Sequence, residues 1–277
     1  MQSEHHKTAT SLVHKSWIRG ALTCIAVPAL VACPVNSTSV DDADLIAQIL
    51  VQNDNGSGRV RVDFGFSDAA GRNKVDLTAD ETISYEFNGT GQELPQTGDG
   101  EYSINLPVVT PGWYTFTLLR ASADGDNIYR EISSNFTYLP NSFESVQAAT
   151  AQSGEVLNVS WIADEETQYL IDDFAVTGSD DSFNAIAACT SRDNNFDVVV
   201  TDASINTRDG ISTLNIPVAA HLSQVLNMSA PEIAAASCDF DVQLVRTIVG
   251  STDPTLDSRS TATGQVLTNL SIQWAGQ

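Results

Sequence analysis

The chain has 277 residues, with 13 basic side chains against 35 acidic ones and a formal net charge of −22. A surface this acidic repels nucleic acid and anionic headgroups and disfavours both as partners. The acids are spread along the chain rather than blocked into a tail, and 42% hydrophobic residues are enough to build packed cores.

Lys7, Lys15 and Arg19 precede an apolar run from Ala21 to Ala32. The run falls short of the roughly 20 apolar residues that a bilayer crossing needs. A basic lead, a short apolar stretch and small closing residues make the three-part plan of a secretory signal peptide over residues 1–32. Within it, Leu30-Val31-Ala32-Cys33 resembles the bacterial lipobox. That resemblance implies cleavage before Cys33, diacylation of its sulfur and acylation of its new amine. Several chains on one residue would supply the second signal that stable anchoring requires. Pro34 follows in place of the aspartate that marks inner-membrane retention. The resemblance therefore implies attachment to the outer membrane, on its periplasmic face or at the cell surface.

Loss of residues 1–32 removes Lys7, Lys15, Arg19 and Glu4, leaving 245 residues with 10 basic and 34 acidic side chains. That length suits two domains. Residues 33–43, polar, small and acidic, are expected to be the lipid attachment point and a flexible spacer. From Asp44 the pattern is β. The run Leu45 to Val51 is apolar and partly β-branched, and Asn53 to Gly58 is a turn cluster. Val60, Val62, Phe64 and Phe66 then alternate with polar residues and glycine, the mark of a strand with one buried face. Short strands follow at 75–78, 83–87 and 102–106. Trp113 to Arg120 alternates again, and either Tyr114, Phe116 and Leu118 or their neighbours must face a core. Ile128 to Tyr138 closes the unit, and Leu139-Pro140 marks a joint, because proline cannot extend a ladder.

The second unit begins with Val156 to Trp161, which looks like the early strand of a fibronectin type III domain with its core tryptophan. Strands are expected at 169–176, 183–190, 196–200, 212–216, 238–249 and 266–274. A short helix competes within 218–236. The expectation is thus an all-β fold of two tandem immunoglobulin-like β-sandwich domains, at 44–140 and 141–277. Tandem β units behind a lipid anchor resemble bacterial lipoproteins that carry immunoglobulin-like domains.

In the oxidising compartment which that resemblance implies, Cys24 leaves with the signal peptide and Cys33 carries lipid. Cys189 and Cys238 are left as a candidate disulfide, the alternative being two buried thiols. Chemistry is sparse elsewhere. His221 is the one histidine after residue 32, without a Gly-x-Ser-x-Gly elbow. Asp/Asn pairs that could offer oxygen ligands to calcium occur at Asp54 and Asn55, at Asp124, Asp126 and Asn127, at Asp180 and Asp181, and at Asp193 and Asn194; none completes a calcium loop motif. No metal site, cofactor or catalytic residue is expected. The resemblance implies a non-enzymatic envelope protein with a binding, adhesion or assembly role and a protein or glycan partner. A hydrolase using loop carboxylates and an accessory subunit of an outer-membrane complex are the alternatives.

Overall fold

A computed structural model of the protein describes residues 35–277, except 69–70, 122–128, 165–167, 172–173, 178 and 193. Cys33–Gln277 forms one compact unit. The signal segment and Cys33 lie outside the described residues.

The first half contributes β1 (Val35–Asn36), β2 (Leu45–Asp54), β3 (Ser57–Asp68), β4 (Gly71–Asp76), β5 (Thr82–Phe87), β6 (Thr90–Glu93), β7 (Gln96–Gly98), β8 (Glu101–Leu106), β9 (Gly112–Ala121) and β10 (Tyr129–Leu139). The second half contributes β11 (Ala151–Ser153), β12 (Leu157–Ile162), β13 (Gln168–Ile171), β14 (Phe174–Thr177), β15 (Asp180–Ser191), β16 (Asn194–Val199), β17 (Ser204–Arg208), β18 (Ile211–Ile216), the helices α1 (Val218–Gln224) and α2 (Ala230–Ala234), and finally β19 (Ala236–Val249) and β20 (Thr261–Ala275). Pro231 sits in the first turn of α2, where its missing N–H costs nothing, and Glu232 accepts from the Ser229 N–H at 2.8 Å.

The expected all-β class is present, but the strands do not divide at residue 140. One 11-stranded sheet runs β1-β4-β3-β2-β20-β19-β15-β16 and takes strands from both halves. Its seam is β2 against β20, in parallel, from Gln48↔Thr261 to Asp54↔Leu267. Leu45, Ala47, Ile49 and Val51 of β2 are all buried, so this strand is covered on its apolar face and paired along both edges. The two sandwiches therefore share a sheet, where the sequence suggests two separate sandwich domains at 44–140 and 141–277.

Two smaller sheets cover the apolar face of the large one, a four-stranded β10-β9-β5-β6 and a three-stranded β12-β18-β17. On β9, Tyr114, Phe116 and Leu118 point into the core, each at most 2% exposed, so of the two alternating sets on that strand this is the one that faces inward. Trp161 of β12 is likewise buried. Its indole N–H donates to Asp181 Oδ2 at 2.8 Å. Asp181 in turn receives Arg246 Nε at 2.9 Å and Nη2 at 3.1 Å, while the guanidinium carbon lies 4.5 Å from the Phe143 ring centre. The bidentate pair lies within the large sheet, between β15 and β19, and the Trp161 N–H on Asp181 ties the three-stranded sheet to it.

The four-stranded sheet approaches the seam through glycine. A Cβ on Gly264 of β20 would lie 1.9 Å from the Tyr138 carbonyl oxygen of β10, and one on Gly250 would lie 2.0 Å from that of Phe136. Gly264→Ala should therefore unseat β10 and cost about 1–3 kcal/mol or more, as overpacking does; urea denaturation read at the buried tryptophans checks it. Burial also raises the Tyr114 phenol from 10.0 to about 12, and its hydroxyl donates to the Thr110 carbonyl at 3.1 Å. The folded chain then keeps a proton that the unfolded chain has lost. Stability should be unaffected by this group below pH 10 and should fall as pH rises from about 10 to about 12. Tyr114→Phe should remove that part of the alkaline slope in urea midpoints measured against pH.

Candidate functional site

The opposite face of the large sheet is open to solvent over β15, β19 and β20, where Asn184, Ile186, Asp239, Asp241, Asn269, Ser271 and Gln273 are exposed. Alternation puts these residues outward because Ala185, Val242 and Ile272 point into the core. The register Asn184↔Gln243↔Asn269 then aligns three carboxamides across adjacent strands.

They form a ladder. Asn184 Nδ2 donates to Gln243 Oε1 at 3.4 Å, Gln243 Nε2 to Asn269 Oδ1 at 3.0 Å, and Asn269 Nδ2 to Asp54 Oδ1 at 3.0 Å. Asp54 reaches the row from the end of β2. There the Asn55-Gly56 turn, with φ of 49° and 90°, reverses the chain into β3, and Asn53 Oδ1 accepts the Gly56 N–H at 3.0 Å. The neighbouring row is Ile186, Asp241 and Ser271, in which the Ser271 hydroxyl donates to Asp241 Oδ1 at 3.1 Å. A shallow depression of about 430 Å³ lies over these two rows. Ile186 and Val199, register partners at the sheet's end, are 55% and 61% exposed and make one apolar shoulder.

Each carboxamide carries two N–H donors and a carbonyl acceptor. The ladder uses one N–H of Gln243 and one of Asn269, which leaves donors beside acceptors at strand spacing, about 4.8 Å. Such a row suits a flat, hydroxyl-bearing ligand that can donate and accept at once.

The expected site residues sit elsewhere. Cys189 and Cys238 face each other in the β15/β19 register and are joined by a disulfide. His221 is buried on α1, with Nδ1 2.9 Å from Asp202 Oδ1, a contact that fastens the helix. Of the oxygen-rich pairs, Asp54 and Asn55 belong to the ladder and its turn, and Asp181 is taken by Arg246 and Trp161. Asp124, Asp126, Asn127 and Asp193 lie outside the described residues. Among the described residues no three His, Cys, Asp or Glu side chains are grouped to hold a metal. Sequence reasoning missed the ladder. Its trace was the polar counter-face of β19, Asp241 and Gln243 opposite Phe240, Val242 and Leu244; nothing local in sequence shows which residues of β15 and β20 fall beside them.

No protein-family model and no curated protein matches this sequence. Among solved structures, a chimeric titin Z1Z2 carrying an exogenous peptide from decorin aligns with 86% of this chain and 98% of its own, at 11% identity and a TM-score of 0.21. A candidate carbohydrate-binding protein from Bacteroides uniformis aligns over 86% and 100%, at 14% identity and a TM-score of 0.18. The SGBP-B of a Bacteroides ovatus mixed-linkage glucan utilization locus, solved with a mixed-linkage heptasaccharide, aligns over 80% of this chain and 54% of its own, at 13% identity and a TM-score of 0.16. At such scores the likeness does not go beyond strand content.

The disulfide closes a sequence separation of 49 residues. Replacing both cysteines by serine should lower unfolding stability by about 3–4 kcal/mol on the chain-entropy account. Urea midpoints of the oxidised wild type and the double variant measure the difference.

Proposed function

We propose that this chain is a lipid-anchored, non-catalytic protein of the bacterial outer membrane that binds an uncharged, hydroxyl-rich ligand, a glycan, on the open face of its large sheet. The observation that carries the ligand class is the carboxamide ladder from Asn184 through Gln243 and Asn269 to Asp54. Asp54, Asp239, Asp241 and Asp197 surround it on the same face, so an anionic ligand would be repelled. Support for the anchor comes from the lipobox resemblance at Leu30 to Cys33 and the signal pattern before it. A second reading, an accessory subunit that pairs through a sheet edge, draws on β16, which ends the large sheet and exposes Val199 beside Ile186.

The soluble 34–277 fragment on an array of neutral and acidic glycans tests the ligand. Neutral glycans should bind, and Asn184→Ala, Gln243→Ala and Asn269→Ala together should weaken binding about tenfold or more, with the folding midpoint nearly unchanged because these side chains are at the surface. Hydrolysis of the bound glycan would replace the reading with an enzyme. Binding to no glycan, with specific crosslinks from β16 to a membrane protein, would replace it with the accessory subunit. Labelling of the full chain by a palmitate analogue, abolished by Cys33→Ala, is the expected result for the anchor.

A further inference from the structure

Residues 34–43 read as a spacer by composition, but the described part of this stretch is built into the fold. β1 pairs with β4 in parallel, Val35 with Val75 and Asn36 with Asp76. Asn36 Oδ1 then accepts the Thr38 N–H at 3.1 Å and starts a 3-10 turn over Ser37–Ser39. Ser37 is fully buried and its hydroxyl donates to Glu81, itself without exposed side-chain surface. Arg120 on β9, 3% exposed, donates to the carbonyls of Ser37 and Val40, the latter at 2.7 Å, and pairs with Asp42; Arg130 reaches Asp42 as well. A buried guanidinium must keep its partners. Here two of them are backbone carbonyls of the segment itself and a third is Asp42, so the segment cannot swing away without taking these partners from Arg120.

We infer that residues 35–44 are a fixed foot that holds the β1/β4 edge of the sheet directly against a lipid leaflet, with the carboxamide ladder carried away from it. This rests on the anchored reading proposed above. Only Pro34 separates Cys33 from β1. Two extended residues span at most about 7 Å, and proline stiffens even that. A free spacer of the expected length would reach about 17–19 Å on average and about 35 Å at full stretch.

The ladder starts on β2, three strands along from β1, and ends on β15, six strands along. At about 4.8 Å per strand its far end stands about 29 Å from the foot.

The test uses the full acylated chain in phosphatidylethanolamine/phosphatidylglycerol vesicles that contain a headgroup spin-labelled lipid. An environment-sensitive fluorophore is placed on Ser39→Cys or Gln273→Cys, both exposed positions, and acylation of Cys33 is confirmed by mass spectrometry. The label at position 39 should lose most of its fluorescence to the spin label, and the label at 273 should lose little. Ten Gly/Ser residues inserted between Pro34 and Val35 should abolish the loss at 39 and leave acylation intact. Acylated protein with equal quenching at both positions, or quenching at 39 that survives the insertion, overturns the foot alone. A bare Cys33 overturns the anchored reading and the foot with it.

Discussion

The parallel pairing of β2 with β20 is the contact on which the rest of the structure depends. It joins a strand at the start of the folded chain to the last one, and the Ala47 N–H adds a bond to Ser260 Oγ at 3.0 Å across 213 residues. Without it, β2 would be an apolar strand with an unpaired edge, a template for aggregation. With it, the sheet is continuous, and Asp54 of β2 can meet Asn269 of β20. Contacts this distant in sequence bring their reward only after a large loop-closure entropy has been met.

Two arginines on the core side serve the seam in the same manner. Arg246 holds Asp181 within the large sheet, Trp161 of the three-stranded sheet donates to the same carboxylate, and Phe143 lies against the guanidinium. Arg120 ties the entering chain to β9 through carbonyls and Asp42. Neither charge is a strong source of net stability, since desolvation takes back most of the Coulombic gain. What Arg120 does is select: an entering strand that is shifted in register takes the Ser37 and Val40 carbonyls and Asp42 from a buried guanidinium, which costs several kcal/mol. Glycine at 250 and 264 acts by shape to the same end, admitting the β10 backbone where any side chain would block it.

Local pattern was enough for much of this. Alternation at Val60, Val62 and Phe64 placed a strand with the correct face inward, alternation from Trp113 to Arg120 placed a strand while leaving its inward face open, and Trp161 is in the core as its strand context implied. Cys189 and Cys238 meet as the count of remaining cysteines suggested. The errors share one cause. A boundary at 140 followed from a proline after a strand, a real chain stop that says nothing about which strands pair across it. The spacer at 33–43 followed from small polar residues, yet Ser37 and Asp42 are buried because partners at 81 and 120 await them. The ladder needs the register of four strands drawn from 54, 184, 243 and 269. Periodicity reports which face a residue takes and is blind to its neighbour on the next strand.

The ladder's chemistry follows from that same register. A lone surface carboxamide rotates freely and must be ordered by whatever binds it, which consumes part of the binding free energy. In the row from Asn184 to Asp54 each amide is already oriented by the next, and the carboxylate of Asp54 at one end fixes the direction in which N–H groups point. The donors left over on Gln243 and Asn269 therefore stand in set positions before a ligand arrives. Hydroxyl groups can use such a row in either sense, as donors to the carbonyls or acceptors from the N–H groups. A carboxylate- or phosphate-bearing ligand can only accept, and it would meet Asp54 and Asp241 as well. An uncharged polyol is the ligand chemistry that satisfies the row without bringing two like charges together.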